Sequence, residues 1–102
     1  MEECKKLVRD NVPSIIENNG QKCDIDTLKD EYALEYLYIR LHENIFNLLD
    51  TESVDELADI LEVVFSIGEK YGYTPEDIIN KKEEIKSQYG VFEKNIFLKK
   101  IY

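Results

Sequence analysis

The sequence predicts an all-α chain, a bundle of about four helices that oligomerisation completes. Three observations point there. Apolar residues recur at steps of three and four over residues 31–49 and 54–71. Gly, Pro, Ser and Thr fall at the edges of these stretches. Alternation of apolar and polar residues, the mark of a strand, is weak throughout. The 102 residues make one domain, 1–102.

The elements follow in order. "KKLVRDNVPSIIENNG" suggests a short helix, with Pro13 in its first turn and Gly20 just past its end. "QKCDIDTLKD" is irregular. A long helix is expected from about Glu31 to Leu49, with a core stripe of Leu34, Leu37, Tyr38, Leu41, Ile45, Leu48 and Leu49. Tyr32, Ile39 and Phe46, seven apart, form a second stripe on another side. A helix apolar on two sides is covered on two sides, which predicts a homodimer or homotetramer; the alternative cover is the chain's own tail. "DTES" breaks the helix. The third helix runs from about Val54 to Tyr71 and stops at Gly72, with Leu57, Ile60, Leu61, Val64 and Gly68 facing the core. The fourth has Thr74 as N-cap, Pro75 at its first position and Gly90 at its stop. The tail "VFEKNIFLKKIY" is apolar with scattered lysines.

Composition narrows the function. The chain is 43% apolar and 34% charged, as a globular protein is. A net charge of −9 leaves no surplus of cations for a nucleic-acid backbone, so no nucleic-acid partner is expected. An acidic chain can still take a phosphorylated ligand if a divalent cation bridges the two. Cys4 and Cys23 have no metal-ligand spacing and read as spectator thiols. "MEECKKLVRD" has no apolar core of a signal peptide, and no run approaches membrane-spanning length. The expectation is a cytoplasmic protein with no membrane partner.

The third helix carries Glu56 and Asp59 three apart, on one helix face. The long helix carries Asn44 and Asn47 with the same spacing. Carboxylate oxygens are hard ligands suited to Mg²⁺, and facing helices are how bundle metal sites are built. The plainer reading is also open. Asp55, Asp59 and Glu62 lie nearly opposite the core face, where acids usually meet solvent. Ser53 and Glu56 fit a capping box, with Glu56 reaching back to the backbone. His42 is the only histidine, no nucleophile pairs with it in sequence, and there is no Gly-rich phosphate loop.

Three stretches, "KLVRDNVP", "DELADILEVV" and "YGVFEKNIFL", occur in this order. With them the chain resembles the all-α nucleotide pyrophosphohydrolases, in particular the small MazG-like, phosphoribosyl-ATP-pyrophosphohydrolase-like proteins. The resemblance implies an oligomeric helical bundle. It also implies Mg²⁺-dependent (or Mn²⁺-dependent) hydrolysis of nucleoside triphosphates, often non-standard ones, to the monophosphate and pyrophosphate. In that family Glu-x-x-Asp supplies metal ligands, here Glu56 and Asp59. The first motif, Glu-Glu-x-x-Glu, is matched by "ENIFN": Glu43 is kept, and the two ligand positions hold Asn44 and Asn47. Catalytic roles thus fall to Glu43, Glu56 and Asp59, and metal contact to Glu56, Asp59, Asn44 and Asn47. Lys6 and Arg9 of the first stretch, and Lys82 and Lys86 of the fourth helix, are candidates for substrate phosphate; the plain alternative is solvated surface charge. Asn11 replaces the family's second lysine, and Tyr89 precedes Gly90 where the family has arginine. Neutral amides cut the charge offered to a metal, so an impaired nucleotide-binding protein is the competing reading. A helical interaction module is the third.

Overall fold

A computed structural model describes residues 5–102; Cys4 lies outside them. Four helices and no strand occur among the described residues. Helix α1 spans Val12–Asn18, α2 Asp30–Thr51, α3 Val54–Lys70 and α4 Pro75–Tyr89. The all-α class predicted from periodicity is the class observed.

Local chemistry sets the helix ends. Pro13 occupies the first turn of α1, where its missing N–H costs no hydrogen bond. Helix α2 runs two residues beyond its predicted end. The Thr51 hydroxyl donates to the Asn47 carbonyl at 3.1 Å, and Glu52 turns the chain with φ 49 while its N–H donates to the Leu48 carbonyl at 2.9 Å. One left-handed residue thus ends α2, and Ser53 begins α3 by accepting from the Asp55 N–H at 3.0 Å. Ser53 is the N-cap, as expected, but Glu56 does not close a box with it. The box forms instead on α4. Thr74 accepts from the Asp77 N–H at 3.1 Å, and Asp77 accepts from the Thr74 N–H at 2.9 Å.

The tight turn makes α2 and α3 an antiparallel hairpin. Lys70, in the last turn of α3, meets Asp30, in the first turn of α2, at 3.2 Å. Each charge also complements the dipole of its own helix end. The buried apolar residues are Ala33 and Leu37 on α2 and Val63 on α3. Gly68, also buried, receives Ile78 of α4; a Cβ there would lie 2.5 Å from the Ile78 Cδ1.

The apolar faces differ from expectation. Of the predicted α2 core stripe only Leu37 is buried, while Tyr38, Ile45 and Leu49 are exposed. On α3, Leu57 and Leu61 are 54% and 53% exposed, whereas Val63 is 6% exposed. Helix α3 is therefore rotated from its predicted setting, and Asp59 lies against α2 rather than opposite it. In this setting Asp59 meets Arg40 and Asn44 of α2. Tyr32, Ile39 and Phe46 are uncovered, and so is the tail, with Phe92 and Phe97 98% and 84% exposed. The tail does not cover the second stripe of its own chain.

Candidate functional site

The α2–α3 contact has a polar centre. Asn44 is buried, 4% exposed, one turn along α2 from Arg40. Both face Asp59 of α3. The Asn44 Nδ2 donates to Asp59 Oδ2 at 2.6 Å, and Arg40 Nε and Nη2 reach the same oxygen at 3.0 and 2.9 Å. Arg9, from the segment before α1, donates to the other oxygen, Oδ1, through Nη2 and through Nε at 3.2 Å. Its Nη1 lies 4.0 Å from Glu62. Two guanidiniums and an amide thus share one carboxylate, and both of its oxygens are engaged.

The electrostatics follow. Burial alone would raise the Asp59 carboxyl, but the hydrogen bonds from Arg9, Arg40 and Asn44, with the nearby Arg40 charge, outweigh it and hold the acid below its ordinary value. Arg9 is raised in turn, chiefly by its hydrogen bond to Asp59. The cluster grades outward: the Asp59 side chain is 15% exposed, Arg40 33% and Arg9 54%. Arg9 is the member a solvent-borne anion meets first.

The sequence-derived candidates divide into two sets. Asn44, Asp59 and Arg9 come together. Glu56 is half-buried, while Glu43, Asn47 and Lys6 are exposed. None of these four side chains joins the cluster. Lys82 pairs with Glu83 at 3.1 Å on the surface of α4. Lys82 and Lys86 line a groove of about 1120 Å³ with Tyr73, Ile78, Ile85 and Phe92. No residue of the Asp59 cluster lines that groove, so the two lysines belong to a different face. Arg40 escaped the sequence reading. Its signal was present: a cation four residues before Asn44 shares Asn44's helix face.

The donor types suit Mg²⁺: Glu56 and Asp59 offer carboxylate oxygens, and Asn44 and Asn47 offer amide carbonyls. The charge is low, and both oxygens of Asp59 already accept hydrogen bonds, so a metal would have to displace a guanidinium to reach it. No group of three or more Asp, Glu, His or Cys side chains placed to hold a metal occurs among the described residues. No described helix is long and apolar enough to cross a membrane. Compared with protein families, with curated proteins and with solved structures, the chain matches none.

Proposed function

We propose that this chain is a nucleoside-triphosphate pyrophosphohydrolase of the all-α kind, releasing a nucleoside monophosphate and pyrophosphate. The single observation that supports it is the meeting of Asn44 with Asp59 at 2.6 Å. These residues stand in the two motifs whose family counterparts share a metal, and they meet across the α2–α3 hairpin. Glu56 and Asp59 are the carboxylates that would hold Mg²⁺, assisted by Asn44. The ion when bound would neutralise phosphate charge and make phosphorus more electrophilic. Arg9, the most exposed of the cluster, binds phosphate oxygens; drawing it outward frees Asp59 Oδ1. Arg40 keeps Asp59 ionised and oriented.

A second reading has its own support. Asp59 already accepts from three side chains, and Asn44 spends its Nδ2 on that contact. A saturated carboxylate beside a neutral amide suits nucleotide binding without turnover. Pyrophosphate assays on a panel of standard and damaged nucleoside triphosphates, with Mg²⁺ or Mn²⁺, separate the two. Release that Arg9→Gln weakens through KM supports hydrolysis. No release from any nucleotide, with thermal stabilisation by Mg–nucleotide, leaves binding alone. Neither signal removes both readings.

A further inference from the structure

Among the apolar surfaces the chain leaves uncovered, two carry opposite charge. The first is the α2 stripe, with Tyr32, Ile39 and Phe46 at 51%, 51% and 70% exposure. Glu35, Glu43 and Asp50 stand one turn from its members, all exposed and none paired with a cation among the described residues. The second is the tail, residues 91–102, where Phe92, Ile96, Phe97 and Leu98 are 70% exposed or more. The tail carries three lysines against one glutamate, while the preceding ninety residues carry ten basic and twenty-one acidic side chains. A basic apolar strap and an acidic apolar stripe thus belong to one chain and do not meet within it.

We infer that the tail of one copy lies along the Tyr32–Ile39–Phe46 stripe of a second copy, and that the exchange is reciprocal. Lengths agree. From Tyr32 to Phe46 a helix rises about 21 Å, and Ile96 to Tyr102, past the turn at Glu93 and Lys94, spans about 20 Å when extended. Lys99 and Lys100 lie within this span on opposite sides of the extended chain, and Glu35, Glu43 and Asp50 flank the stripe, so opposite charges are brought together, which sets this occupant apart from an uncharged apolar partner. The area agrees as well. The chain exposes 9700 Å², whereas a compact chain of 12.0 kDa exposes about 6000 Å². A stable dimer needs about 800 Å² from each partner, and the surplus exceeds that several times. A two-fold exchange buries both surfaces twice with one kind of contact.

Analytical ultracentrifugation of the full chain tests this, with helicity checked by circular dichroism. The expected result is a dimer whose dissociation constant rises at least about tenfold, 1.4 kcal/mol, with Phe97→Ser in the tail and likewise with Phe46→Glu on the stripe. High salt should weaken the dimer as well. Cross-linking keeps the test decisive if a variant folds poorly. One tagged chain carries Phe46→Cys and an untagged chain carries Phe97→Cys, both with Cys4→Ser and Cys23→Ser. A disulfide between the two chains is expected. A monomer at all concentrations, a dimer indifferent to both substitutions, or absence of the mixed disulfide would overturn the exchange.

Discussion

Asp59 is the residue on which the α2–α3 contact turns. Its carboxylate serves Arg9, Arg40 and Asn44 together, so replacing it leaves two guanidiniums and a buried amide without their acceptor. Asp59→Asn should cost about 1–3 kcal/mol at neutral pH, measured by urea unfolding. The pH dependence has a definite sign. The folded acid is held below its ordinary value, so its contribution is complete above the unfolded value, about 3.9. It is lost as pH falls from there through the lowered folded value. The stability gap between wild type and Asp59→Asn should therefore close in acid; a gap constant with pH would contradict the ionic account. The residue scale was partly legible in sequence. Helical spacing and the resemblance marked Asn44, Asp59 and Arg9. Arg40 was missed because an arginine on an amphipathic helix reads as a solvated surface cation until its partner is known. Glu43 and Asn47 were placed near the site by motif, but in the structure both are exposed; Glu43, next to Asn44, faces another way on the helix, and Asn47 lies about one turn nearer the α2–α3 connection.

At the scale of elements, the two-residue turn between α2 and α3 decides which side chains meet. Lengthening it would shift the register that sets Asn44 opposite Asp59. Glu52 makes the turn in the left-handed region, where a Cβ is strained. Glu52→Gly relieves that strain and should raise stability by about 1 kcal/mol, read as a higher urea midpoint with unchanged slope. A lower midpoint would mean that the Glu52 side chain contributes more than its backbone costs. Element boundaries were legible because they depend on local chemistry: Pro13, Ser53, Thr74, Pro75 and Gly90 all act where the sequence placed them. The rotation of α3 was not legible. The Leu57–Leu61 face outscored the Asp59–Val63 face in apolar content, and periodicity alone assigns the more apolar face to the core. The face that turns inward brings Asp59 to Arg9, Arg40 and Asn44, contacts that periodicity does not encode.

The whole molecule is extended for its length. Its radius of gyration is 18.0 Å, against about 13 Å for a compact chain of this size, and its longest dimension is 62 Å. So few residues are buried that the hairpin and α4 have little apolar area to offset chain entropy. Under the exchange proposed above, folding is coupled to association, and the thermal midpoint should rise with protein concentration. A midpoint independent of concentration over two decades would show that one copy is stable alone. The sequence by itself determined the helices, their ends and the meeting motifs of α2 and α3, because caps, breakers and periodicity act over a few residues. Only the tertiary structure decided which face of α3 turns inward, that Arg40 joins Asp59, and that the tail leaves the stripe of its own chain bare. Those outcomes depend on side chains brought together across the fold from segments far apart in sequence, which local periodicity does not encode.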